Sequence, residues 1–93
     1  MKFMAIGHVQ APLDQLKPHM AKEPAATLKL YVEGKIEQFW FVENSGPIFL
    51  MNAASADEAR EVLATLPLVA ANLITYDLLA VGPLVPLGRL IQA

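Results

Sequence analysis

Residues 55–76, SADEAREVLATLPLVAANLITY, carry the signals that decide the fold of this chain. Ser55 with Glu58 three residues later matches a capping box, the pattern that satisfies the first backbone amides of a helix. Apolar residues then recur at helical spacing as far as Leu66, and Pro67 is expected to stop the helix. Residues 68–73 are expected to form an irregular turn. The next segment, residues 73–81, is rich in β-forming residues and predicts a strand.

The upstream half of the chain predicts the same succession of elements. Residues 3–9 alternate as a strand does, and residues 10–24, broken by three prolines, predict a loop with one short helical turn. Pro24 is expected in the first turn of a helix that continues over residues 25–33, where the apolar spacing is helical. Gly34 fits the position just after that helix, where left-handed backbone angles are needed.

Two further strands are predicted between these halves. Residues 36–43 and residues 48–53 alternate on either side of the turn-forming residues 44–47, which predicts a hairpin. The resulting order, βαββαβ, is that of a ferredoxin-like α+β fold. We therefore expect a four-stranded antiparallel sheet with strand order 4-1-3-2 and with both helices on one face.

The other face of this sheet, here called the bare face, has no predicted helix to cover it. Phe39 and Phe41 are placed on the opposite face, as core beneath the helices. Ile36 is expected to share a face with Gln38 and Trp40, and Glu37 to share one with Phe39. The predicted members of the bare face are Met4, Ile6, His8, Gln38, Trp40, Leu50, Asn52, Thr75, Asp77 and Leu79.

Composition points to an assembly and away from several functional classes. Hydrophobic residues make up 55% of the chain and charged residues only 17%, which is more apolar surface than a small monomer readily hides. Two bare faces packed together give a homodimeric barrel. A net charge of −2 predicts neither nucleic acid nor membrane binding. There is no cysteine, signal peptide or long apolar run, so we expect one cytoplasmic domain, residues 1–93. An apolar tail, residues 84–93, is expected to dock on the barrel or the partner.

Several of these segments resemble the dimeric α+β barrel superfamily, most of all its muconolactone isomerase-like and YciI-like branches. The resemblance lies in the Ser55-x-x-Glu58 helix start, the break at residues 65–68, the strand that carries Asp77 and the helix-to-strand junction at residues 31–36. It implies a dimer formed sheet to sheet, with a pocket between sheet and helices or at the barrel mouth. Known members include isomerases, small monooxygenases, haem proteins and proteins of no known activity.

His8 and Asp77 are the candidate catalytic pair. Both are predicted on the bare face of neighbouring strands, with Asp77 one diagonal away from the residue directly opposite His8. A carboxylate beside an imidazole can fix its tautomer and raise its basicity, which suits general acid–base chemistry. The alternative is a polar pair that fixes the register of a dimer interface.

Five other residues are candidate substrate contacts. Gln38, Trp40 and Asn52 lie on the predicted bare face, where Trp40 could serve equally well as an interface anchor. His19 lies in the proline-bounded loop, and Tyr31 could direct its hydroxyl towards a pocket. Two histidines without cysteine match no common metal-ligand spacing, and no Gly-rich phosphate loop is present. We therefore expect neither a metal nor a cofactor.

These observations favour a small-molecule-binding dimer. The leading hypothesis is an isomerase that moves a proton on a small organic acid or lactone, with His8 as acid or base and Asp77 orienting it. One alternative is a non-catalytic ligand-binding or assembly protein of the same fold. Another is a small monooxygenase-like enzyme, for which a haem version would need His8 or His19 as axial ligand.

Overall fold

A computed structural model of the chain describes residues 1–83, so the expected docking of residues 84–93 lies outside the described residues. The described elements follow the predicted order, including the short helical turn expected within residues 10–24, and add one 3₁₀ turn and one further one-turn α-helix. They are β1 (Lys2–Val9), α1 (Leu13–Leu16), a 3₁₀ turn (Lys17–His19), α2 (Glu23–Val32), β2 (Ile36–Val42), β3 (Gly46–Asn52), α3 (Ala56–Leu63), α4 (Pro67–Ala70) and β4 (Ile74–Val81).

The four strands form one antiparallel sheet in the order β2-β3-β1-β4, which confirms the predicted topology. β1 lies in the middle of the sheet, where Met4 is opposite Leu50 on one side and Leu79 on the other. β2 and β4 are the edge strands. The fold class is therefore α+β with a four-stranded antiparallel sheet, as expected.

The helices cover a single face of the sheet. Phe3 and Ala5 of β1 are buried, whereas Met4 and Ile6 between them are only partly covered, which is the alternation expected of a strand with one packed face. The core also receives Leu30 from α2, Ala59 and Leu63 from α3, and Leu66 from the segment between α3 and α4. None of the ten predicted members of the bare face is buried in the single chain.

The predicted helix starts are observed, and one predicted stop is wrong. Ser55 Oγ accepts a hydrogen bond from the Glu58 N–H at 3.1 Å, and Pro24 lies in the first turn of α2. Gly34 has a φ of +80° directly beyond α2. However, α3 already ends at Leu63, and Pro67 begins α4 instead of ending a helix. Proline is favoured in a first helical turn because its missing N–H would have no partner there.

The alternation predicted for β2 is wrong at its start. The pairing with β3 is irregular between Ile36 and Gln38, as in a β-bulge, where two residues on one strand oppose one on the other. Ile36 therefore pairs with Met51 on the helix-covered face and is 1% exposed. Glu37 forms an ion pair with Lys2, on the side predicted for Gln38 and not for Phe39.

Phe39 and Phe41 are not core residues. Phe39 is opposite the buried Phe49, so it faces the helix side as predicted, yet it remains 45% exposed, and Phe41 remains 72% exposed. β2 is an edge strand, and the helices cover its first residue but not its middle. This uncovered part of β2 leaves room for a cavity.

Candidate functional site: an apolar cavity and a polar pair on opposite sheet faces

A cavity of about 650 Å³ lies between the helix side of the sheet and the segment that runs from α1 into α2. This volume falls in the range of small-molecule pockets. Most of its lining is apolar or aromatic. The lining residues are Val9, Leu13, Leu16, Met20, Glu23, Pro24, Thr27, Leu28, Phe39, Trp40, Phe41, Pro47, Phe49, Leu68 and Ile74.

Glu23 is the one ionisable side chain in this lining, within residues 1–83. Its Oε2 accepts a hydrogen bond from the Leu68 N–H at 3.0 Å, where α4 begins. Burial raises the pKa of Glu23 above its ordinary value, while the Leu68 hydrogen bond and nearby His19 act in the opposite direction. A carboxyl group with a raised pKa takes up and releases a proton closer to neutral pH, which is a requirement of acid–base chemistry.

Tyr76 lies behind the cavity floor. Its ring stacks on Phe49, with 5.6 Å between ring centroids, and packs against the cluster of Leu16, Leu68 and Ile74. The Tyr76 hydroxyl is buried and has no hydrogen-bond partner in the part of the chain that the structure describes. Burial, with a smaller contribution from Glu23, raises the pKa of Tyr76 well above its ordinary value. The hydroxyl therefore keeps its proton and stays a potential donor.

Gly7 makes room for the Tyr76 ring. The two residues are directly opposite each other on β1 and β4. A Cβ atom on Gly7 would lie 2.9 Å from Tyr76 Cε1 and 2.9 Å from the backbone oxygen of Pro47. The absence of a side chain at Gly7 thus lets the Tyr76 ring pack directly against β1.

His8 and Asp77 meet on the bare face. His8 Nε2 lies 2.9 Å from Asp77 Oδ2, and the pair is diagonal, because His8 is directly opposite Thr75 and Asp77 opposite Ile6. In the single chain the two side chains are 43% and 72% exposed. Neither residue lines the cavity. The structure therefore brings the predicted pair together, while its role stays a prediction.

The five predicted substrate contacts do not converge on that pair within one chain. Asn52 is opposite Lys2, about 20 Å along β1 from His8, and donates to the Gly34 carbonyl at 3.1 Å. Gln38 and Trp40 lie on β2, three strand spacings or about 14 Å from β4.

The remaining predicted contacts lie near the cavity. Trp40 is part of its lining. Tyr31 contacts Phe39 edge to face, with 5.6 Å between ring centroids. His19 is partly buried and close enough to Glu23 to lower the pKa of its carboxyl. Substrate binding by these residues stays a prediction.

Sequence reasoning missed Glu23 and Tyr76. An acidic residue in the first turn of a helix is common, so Glu23 carried no distinguishing signal. Tyr76 did carry one: the alternation that puts Thr75 and Asp77 on the bare face puts Tyr76, with its hydroxyl, on the packed face. A polar atom directed into a core normally needs a hydrogen-bond partner, so its presence there indicates a position of special interest.

Comparison with known proteins gives a fold and no family. Neither the protein-family models nor the curated proteins yield a match. One similar solved structure is 5-chloro-2-hydroxyhydroquinone dehydrochlorinase (TftG) from Burkholderia phenoliruptrix, in complex with 2,5-dihydroxybenzoquinone. The match has a TM-score of 0.71 and 18% sequence identity, and it covers 88% of this chain and 94% of that one. This chain has the fold of that enzyme.

Residues 1–83 lack two features that are typical of other classes of protein. Within these residues, no helix is both long and apolar enough to cross a membrane. Over the same range, no three His, Asp or Glu side chains are grouped so that they could hold a metal ion.

Proposed function

We propose that this protein binds a small organic molecule in the cavity between sheet and helices and isomerises it by proton transfer through Glu23. The observation that carries the proposal is the position of Glu23, a half-buried carboxyl group in an otherwise apolar lining. Pockets of this kind bind apolar ligands and orient them through a few polar groups.

The proposed reaction needs one proton carrier. The Glu23 carboxylate removes a proton from one atom of the ligand, and the resulting carboxylic acid returns a proton to another atom, so ligand and protein both keep their composition. The Leu68 N–H holds Oε2 in place during this exchange.

The dehydrochlorinase supports this proposal in a general way. It is an enzyme of the same fold, and its structure contains a small ring compound, 2,5-dihydroxybenzoquinone. The muconolactone isomerase-like resemblance of residues 55–79 supports isomerisation as the reaction class. For this chain we propose the same scale of ligand, one that a cavity of about 650 Å³ accommodates.

We also propose that two chains pair through their bare faces. On that face Leu79 is 52% exposed and Trp40 48% exposed, which is costly for large apolar side chains that remain in water. His8 and Asp77 lie on the same face, at 2.9 Å from each other. Covering them with a second chain would make the pair an interface contact that fixes the dimer register.

A second candidate site is this same pair, and its close contact favours it. Here His8 acts as acid or base and Asp77 orients its ring, with the partner chain enclosing the site. The two candidates are distinguished by which substitution removes activity, since Glu23 and His8 lie on opposite faces of the sheet.

The test is hydrogen exchange into ligands. Small lactones and cyclic enones are incubated with the protein in D₂O, and deuterium uptake next to the carbonyl group is followed by NMR. We expect uptake with the unmodified protein and with Glu61→Gln, an exposed control that changes the charge equally. Glu23→Gln should lower the rate by a factor of about 100 or more. Full activity in Glu23→Gln together with its loss in His8→Ala would overturn the proposal in favour of the second site.

A further inference from the structure

The charge balance of the cavity restricts what it can hold. Within residues 1–83 its lining includes no lysine or arginine, and its one ionisable group is an acid. A ligand with a carboxylate or phosphate group would bring a second negative charge next to Glu23, and the His19 side chain that partly offsets the charge of Glu23 lies outside the lining. Burying an unpaired charge in an apolar site is unfavourable, and a like charge nearby adds to the cost.

The hydrogen-bonding state of Glu23 indicates which polar group the ligand carries. Oε2 accepts from the Leu68 N–H, whereas Oε1 accepts no hydrogen bond from residues 1–83. The hydroxyl of Thr27, which also lines the cavity, already donates to the Glu23 backbone carbonyl at 3.0 Å. Glu23 Oε1 thus still lacks a hydrogen-bond donor, and a ligand O–H group supplies one.

The walls indicate the body of the ligand. Phe39, Phe41 and Phe49 supply aromatic surface, and Pro24 and Pro47 add flat apolar surface. Aromatic side chains bind flat rings through offset stacking and edge-to-face contacts. A saturated or strongly polar ligand would make fewer favourable contacts with this lining.

We propose that the ligand is an uncharged ring compound with a hydroxyl group, of the phenol or enol class, whose O–H donates to Glu23 Oε1. This inference rests on the proposed function, because it specifies the ligand of the same cavity. It excludes carboxylate ligands, although a small organic acid is one of the two substrate classes expected from sequence. The site thereby distinguishes ligands of similar size by their charge.

The experiment compares three probes of the same shape by isothermal titration calorimetry: 4-propylphenol, 4-propylbenzoate and 4-propyltoluene. At pH 7 the phenol is uncharged, since phenolic groups have a pKa of about 10, and the benzoate is ionised. We expect the phenol to bind at least tenfold more tightly than either other probe. Glu23→Gln should reduce this preference over the benzoate at least threefold, because it removes the like charge but not the cost of burying the benzoate. The exposed control Glu61→Gln should retain the full preference.

The outcomes separate this inference from the function on which it rests. Binding of the benzoate as tightly as the phenol would overturn the inference but leave the cavity as a ligand site. Equal binding of the toluene and the phenol would overturn the role of the hydroxyl. If none of the probes binds, and the fluorescence of Trp40, the one tryptophan of the chain, does not change, the cavity is not a ligand site and both proposals fail.

Discussion

The side chain of Glu23 accepts a hydrogen bond from the backbone N–H of Leu68 at 3.0 Å, which links two residues 45 positions apart in sequence. Glu23 begins α2, and Leu68 lies in the first turn of α4. The contact joins the two halves of the chain at the wall of the cavity. Glu23, the acid proposed to act on a ligand, therefore also links α2 to α4.

Glu23→Ala should destabilise the protein by about 1–2 kcal/mol, because the Leu68 N–H loses its partner in a partly buried position. Glu23→Gln should cost less, since its amide oxygen can still accept the bond. Urea unfolding followed by circular dichroism measures both values. Glu61→Ala, at an exposed site on α3, is the control and should change the free energy of unfolding by less than about 0.5 kcal/mol. Equal losses at positions 23 and 61 would contradict this structural role.

The raised pKa of Glu23 also predicts a pH dependence of stability. The native state holds the Glu23 proton more tightly than the unfolded state, whose pKa is near the ordinary value of 4.5. The contribution of Glu23 is therefore most favourable below the unfolded pKa and is lost as the pH rises through the native pKa. The free energies of unfolding of the unmodified protein and of Glu23→Gln are compared from pH 4 upwards. Any advantage of the unmodified protein over the variant should shrink as the pH rises. A difference that grows in favour of the unmodified protein as the pH rises would show that the pKa is lowered.

Gly7→Ala should cost about 1–3 kcal/mol, because the new Cβ would meet the Tyr76 ring and the Pro47 backbone oxygen. Gly82→Ala is a matched control, since a Cβ there meets nothing within 4 Å. Both variants are compared by urea unfolding. If Gly7→Ala were as stable as Gly82→Ala, the packing of Tyr76 against β1 would be looser than the structure has it.

Asp77→Ala should weaken the proposed dimer at least tenfold. An exposed ion pair is worth about 0–1 kcal/mol, whereas truncating one partner of a pair that is buried at an interface costs about 2–5 kcal/mol. Sedimentation equilibrium measures the dissociation constant. Glu33→Ala, which removes the exposed Lys35–Glu33 contact of 3.5 Å, is the control and should leave the constant unchanged. A monomeric unmodified protein at micromolar concentration would contradict the dimer itself.

Much of the fold could be predicted because local signals and the global arrangement agree. The alternation of β1 correctly assigned Phe3 and Ala5 to the packed face and His8 to the bare face. The Ser55 cap is observed with its expected partner. The diagonal contact of His8 with Asp77 followed from strand order and alternation alone.

The errors arise where neighbouring strands and helices override a local pattern. The bulge that moves Ile36 and Glu37 depends on pairing with β3 and leaves no mark in the residues themselves. Phe39 is exposed because β2 is an edge strand that the helices cover incompletely, a property of packing and not of sequence. Glu23 becomes a candidate site residue because the fold places it in the cavity lining beside Leu68, which is far away in the chain. Cavity residues that come from distant segments show no periodic spacing in the sequence, so no local pattern predicts them.

The most direct test of the central claim is NMR mapping of 4-propylphenol on the ¹⁵N-labelled protein, because the two candidate sites lie on opposite faces of one sheet. We expect the largest amide shift changes at Leu68, whose N–H is bonded to Glu23, and at Phe49 in the cavity lining, with His8 and Asp77 unchanged. Shift changes centred on His8 and Asp77, with none at Leu68, would contradict the claim that the cavity between sheet and helices is the ligand site.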